Sequence, residues 1–66
     1  MQISVNGKQL EVEAGVTVAS LIQTKGINPA TIVVEYNQTI LKRHEWCDIV
    51  LNSGDSLEIV AFVGGG

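Results

Sequence analysis

Apolar and polar residues alternate at the start of the chain: Gln2-Ile3-Ser4-Val5, then Asn6-Gly7, then Lys8-Gln9-Leu10-Glu11-Val12. Period two marks a strand with one buried face. Asn-Gly between two such runs supplies the positive φ angles of a tight hairpin turn. Residues 2–12 are therefore predicted to form an antiparallel hairpin. Ile3, Val5, Leu10 and Val12 share the buried face, and Gln2, Ser4, Gln9 and Glu11 share the other. The period then changes. After a turn at Gly15, Val18, Leu21, Ile22 and Lys25 recur at helical spacing. Thr17 can cap this helix and Gly26 can stop it. Lys25 falls in the last turn, where the helix dipole favours a cation. A helix over 17–25 is expected, with its apolar stripe laid across the hairpin.

Asn28-Pro29 signals a loop. Thr31-Ile32-Val33-Val34-Glu35-Tyr36 is β-branched and reads as a strand with apolar residues on both faces. Asn37-Gln38 turns, and Thr39-Ile40-Leu41 is a candidate return strand. Lys42–Trp46 is a loop or a single helical turn, and Asp48–Leu51 fits either strand or loop. Asn52-Ser53-Gly54-Asp55 forms a turn before a final strand, Ser56-Leu57-Glu58-Ile59-Val60-Ala61-Phe62. One helix over one face of a sheet is an α+β domain. If the first and last strands pair in parallel at the centre, the helix supplies the crossover that parallel neighbours require. That arrangement is the ubiquitin-like β-grasp: a mixed sheet of four or five strands with one main helix on one face.

Composition narrows the function. Sixty-six residues are expected to make a single domain, 1–66. Such a chain buries only about 60% of its unfolded surface. One cysteine excludes an internal disulfide, and one His with one Cys offers no metal-ligand cluster. Stability must come from packed aliphatic side chains. Seven acids against four bases give a formal charge of −3. That balance argues against nucleic acid, which needs bases to neutralise phosphates, and suits a basic partner surface. Nothing approaches the ~20 apolar residues of a membrane span. The start, Met1–Asn6, carries neither the basic nor the apolar segment of a signal peptide. A cytoplasmic location is the expectation, with which the unpaired Cys47 is compatible.

No catalytic constellation is visible. His44 sits between Arg43 and Glu45 in a charged segment and reads as a solvated side chain. Cys47 reads as a small buried hydrophobe, the alternative being a thiol activated by Arg43. Asp48 and Asp55 flank turns without companion ligands and read as turn and surface residues.

The remaining chemistry lies in Gly64-Gly65-Gly66, directly after the final strand. Glycine adopts backbone angles closed to other residues and admits a close neighbour. Three residues reach roughly 10 Å, enough to present the Gly66 carboxylate inside a narrow channel. A frayed end is the other reading of such a tail. A carboxylate is a poor acyl donor and must first be activated, typically as an acyl-adenylate. Its carrier need catalyse nothing, but needs a face for the activating enzyme to grip. With Leu57, Ile59 and Ala61 toward the helix, Glu58, Val60 and Phe62 point away. Val60 and Phe62, joined by Val33 of the neighbouring strand, are the candidate partner-binding residues.

The chain resembles the bacterial sulfur carrier protein ThiS family over essentially its whole length. The likeness rests on Met1–Gly7, Thr17–Ile22, Val34-Glu35-Tyr36-Asn37, Arg43-His44-Glu45-Trp46, Gly54–Val60 and Phe62-Val63-Gly64-Gly65-Gly66. Where the family often has a proline before the arginine, this chain has Lys42. The resemblance implies a protein cosubstrate rather than an enzyme. A ThiF-like enzyme would adenylate Gly66 with ATP and magnesium. A sulfur donor protein would displace AMP to leave a C-terminal thiocarboxylate. A ThiG-like thiazole synthase would take that sulfur into the thiazole of thiamin. Gly65 and Gly66 map onto the family's Gly-Gly end, and Gly64 lengthens the tip. Three alternatives share the fold: the small subunit of molybdopterin synthase, a protein-conjugating modifier, and an interaction module with an inert tail.

Overall fold

The final strand lies in the middle of the sheet. The computed structural model describes residues 1–62. Its strands are β1 (Gln2–Val5), β2 (Lys8–Glu11), β3 (Ile32–Tyr36), β4 (Thr39–Leu41) and β5 (Ser56–Ala61), in the order β2-β1-β5-β3-β4. β1 and β5 run parallel, and every other neighbouring pair is antiparallel. One α-helix, α1 (Val18–Thr24), makes the crossover, and a 3-10 helix (Arg43–Asp48) packs beside it. This is the β-grasp expected from the periodicities.

Local chemistry accounts for each element. Asn6 and Gly7 hold φ of 52° and 80°, as a twist-matched two-residue turn requires. The helix starts in a capping box. The Ser20 N–H donates to Thr17 Oγ1 at 3.1 Å, and the Thr17 N–H donates to Ser20 Oγ at 2.9 Å. It ends in a Schellman motif, with Gly26 N–H to Gln23 O and Ile27 N–H to Ile22 O. The φ of +70° at Gly26 explains the glycine there. Thr17 and Lys25 are thus caps, one residue outside the helix at each end.

Val18, Leu21 and Ile22 face the sheet and are buried against Ile3, Val34 and Leu57. The segment left open between strand and loop divides. Val50 forms a single bridge with Thr17, and Leu51 enters the core. Trp46, on the 3-10 helix, is also buried. Its indole N–H has no partner among the described residues. That omission costs about 1–3 kcal/mol, which the burial of a large aromatic surface offsets.

Cys47 departs from expectation. It is exposed, because the 3-10 helix turns Trp46 inward and its neighbour outward. Its Sγ lies near the His44 carbonyl and the Asp48 carboxylate, which is no electropositive setting. His44 is exposed, as anticipated. Ala61 is exposed rather than covered by the helix. Helix α1 has only seven residues, about 10 Å at 1.5 Å per residue, and β5 is longer.

Asp55 does more than terminate a turn. Its carboxylate accepts from Tyr36 Oη at 2.9 Å, the Asn52 backbone N–H at 2.7 Å and Asn37 Nδ2 at 3.2 Å. Asn37 Oδ1 in turn accepts from the Ser56 N–H. The group locks the turn entering β5 onto the turn between β3 and β4. Partial burial pushes the Asp55 carboxyl up, but the hydrogen bonds from Asn52, Asn37 and Tyr36 outweigh it and hold it below the usual aspartate value. The Tyr36 hydroxyl is raised, by its bond to Asp55 and then by burial.

A carboxyl with a depressed folded-state pKa stabilises the fold above its unfolded value, near 3.9, and loses that contribution as pH falls through the lower folded value. Asp55→Asn should therefore lower stability at neutral pH and flatten the acid limb below about pH 4. Urea midpoints measured across that range test this. An acid limb as steep as that of wild type would show that Asp55 does not set it.

Candidate functional site

The candidate site is the sheet face opposite α1, at the end of β5. Register builds it. β3 and β5 pair antiparallel with Val33 opposite Val60, Val34 opposite Ile59 and Glu35 opposite Glu58. Residues two apart share a face, so Val33, Glu35, Glu58 and Val60 lie together, while Val34 and Leu57 point into the core. Pairing runs past the strand, since the Phe62 N–H donates to Thr31 O at 2.9 Å. That bond fixes Phe62 beside β3.

The three sequence-predicted partner residues are thus brought together, and all are exposed: Val33 37%, Val60 58% and Phe62 47%. Ile40 of β4, 66% exposed and opposite Glu35, extends the apolar surface. It escaped the sequence reading because its strand was only a candidate. The expectations placed on Gly64, Gly65 and Gly66 lie outside the described residues.

The base of the tail is held from the other side by Asn6. β1 ends at Val5, which would leave the backbone of Ile59 unpaired on that edge. The Asn6 side chain fills the gap: Ile59 N–H donates to Oδ1 at 2.7 Å, and Nδ2 donates to Ile59 O at 3.2 Å. An amide side chain thus continues the ladder where the neighbouring strand stops, and satisfies groups that would otherwise need solvent. β5 is clamped by β3 on one side and by β1 plus Asn6 on the other, up to three residues before Phe62.

Among the described residues no three His, Cys, Asp or Glu side chains gather as a metal site, and no helix is long and apolar enough to cross a membrane. What the face can do chemically is bind: it joins apolar side chains to two carboxylates on a rigid support. A β-grasp domain whose central strand leads from such a face toward Gly64-Gly65-Gly66 is a candidate carrier module.

The comparisons agree. The ThiS family model matches residues 3–66, and the chain belongs to the ThiS family. It is 29% identical to the sulfur carrier protein ThiS of Escherichia coli, over all of both chains. It is 36% identical over all its 66 residues to part of a thiazole synthase of Paramagnetospirillum magneticum. The chain spans only 20% of that protein's length. The crystal structure of the thiamine biosynthesis protein ThiS from Geobacter metallireducens superposes with a TM-score of 0.87 at 29% identity, covering all of both chains.

Proposed function

We propose that this ThiS-family chain carries sulfur for thiamin biosynthesis on the carboxylate of Gly66. The observation that carries the reading is the apolar face of Val33, Val60 and Phe62 on the helix-free side of β5, immediately before the glycine tail. Four residues beyond Phe62, a carboxylate at Gly66 has a reach of about 13–14 Å. That suits a site deep in a partner whose surface is seated on the face.

In this reading a ThiF-like enzyme holds ATP and magnesium, and this chain is its protein substrate. The Gly66 carboxylate attacks the α-phosphorus of ATP, pyrophosphate leaves, and the oxygen that was a poor leaving group becomes part of AMP. A persulfide on the sulfur donor protein then attacks the carbonyl carbon through its outer sulfur and expels AMP, leaving an acyl disulfide. A thiol attacks the donor's sulfur in that disulfide, the S–S bond breaks as a new disulfide forms on the donor, and the freed thiocarboxylate is a nucleophile for thiazole synthase. The similarity to a region of two thiazole synthases supports a ThiG-like enzyme as the acceptor.

Incubation with the activating enzyme, ATP, magnesium and a sulfur donor should yield a protein heavier by the exchange of one oxygen for one sulfur, located by mass spectrometry on the C-terminal peptide. If only unmodified protein is recovered, the sulfur-carrier reading fails. Phe62→Ala should weaken association with the activating enzyme by about 1–2 kcal/mol, as for an aromatic anchor at an interface, and disturb folding less. Equal affinities by calorimetry would make Phe62 merely a structural residue.

A further inference from the structure

The β3–β5 register sets two carboxylates directly opposite each other, Glu35 and Glu58, in the centre of the helix-free face. Like charges facing across a ladder destabilise a sheet. Nothing among the described residues relieves them: neither makes an ion pair, and Lys42, just beyond β4, makes none either. Both sit among apolar neighbours. Ile40 lies opposite Glu35 on β4, and Val33 and Val60 form the next pair along the same two strands. Glu35 is half-buried and Glu58 exposed. The arrangement is unfavourable for the isolated protein and complementary to a cation.

We propose that the Glu35–Glu58 pair receives an arginine of the activating enzyme, projecting from an otherwise apolar patch that packs on Ile40, Val33, Val60 and Phe62. This rests on the reading that the helix-free face is the one that enzyme grips. A guanidinium suits the place better than an ammonium. It is planar, offers five donors, and is more weakly hydrated, so it bridges two carboxylates at smaller desolvation cost. The apolar rim excludes water and strengthens the pair once the surfaces meet. The two carboxylates also fix register. A partner shifted by two residues along the strands would leave its arginine over Val33 and Val60, and a misplaced acid would be repelled.

The test is the double variant Glu35→Gln with Glu58→Gln, which keeps shape and removes charge. Two readouts are taken: the urea midpoint of the free protein, and the affinity for the ThiF-like enzyme at low and high salt. The midpoint should rise, because the repulsion is gone. Affinity should fall roughly tenfold, equivalent to about 1.4 kcal/mol, with a flatter salt dependence. A residue with only a structural role would not move the two readouts in opposite directions. If the double variant binds as tightly as wild type while Phe62→Ala binds more weakly, the arginine proposal is overturned and the face assignment stands. If wild type does not bind the enzyme at all, both fall.

Discussion

Adding one residue after Gly66 is expected to abolish pyrophosphate release by the activating enzyme. The added residue moves the carboxylate about 3.5 Å beyond its reacting position. An error of only ~1 Å in attack geometry can cost ~100-fold in rate, so the loss should exceed that factor. Gly65→Val should be severely impaired for a different reason. A β-branched side chain stiffens the tether and has to enter a channel fitted to glycine. Both variants should unfold at the wild-type urea midpoint, because among the described residues the buried cluster and the side chains packed against it end at Ile59. Activation of the extended chain at the wild-type rate would remove the Gly66 carboxylate from the chemistry.

The largest expected effect on stability is at Leu21. Its side chain is 4% exposed and packs between helix and sheet. Leu21→Ala removes that burial and leaves a cavity, at a cost of about 2–5 kcal/mol. A domain of this size has on the order of 3–10 kcal/mol in all. The variant should be largely unfolded at moderate temperature, with a much lower urea midpoint. No one residue can replace the lost contact, since the seven-residue helix fully buries only Val18, Leu21 and Ile22 and adds no more than the small Ala19 beside them. An unchanged midpoint would mean that the packing face of α1 is misassigned.

Much of this fold is written locally in the chain. Asn6-Gly7 names its own turn, and Thr17 and Gly26 bracket the helix, because each chemistry acts within a few residues. The apolar triad Val33, Val60 and Phe62 followed from strand alternation together with the side on which the helix must lie. What escaped depends on distant partners. The Asp55 hub draws on Tyr36 and Asn37, 18–19 residues away. The Asn6 clamp bonds Ile59, 53 residues away. The facing of Glu35 and Glu58 exists only once register is set. Cys47 was misjudged because hydrophobicity fits burial, whereas its exposure follows from the 3-10 turn that puts Trp46 inside. Ala61 lies on the helix side, opposite buried Ile32, but is exposed, because alternation assigns a face and says nothing of how far the helix extends along it.

The placement of β5 has a consequence for synthesis. Of the five described strands, the one synthesised last is the one on which both halves of the sheet converge, with β2-β1 on one side and β3-β4 on the other. A nascent chain stopped before residue 56 holds two separate hairpins and a helix with no continuous surface to cover. Isolated hairpins are marginal in water, so such a chain has no folded state to reach. Completion of the fold and delivery of the segment that leads into the glycine tail are therefore one event. A chain that a partner can recognise by its folded face is a chain that has been read through at least to the root of its tail.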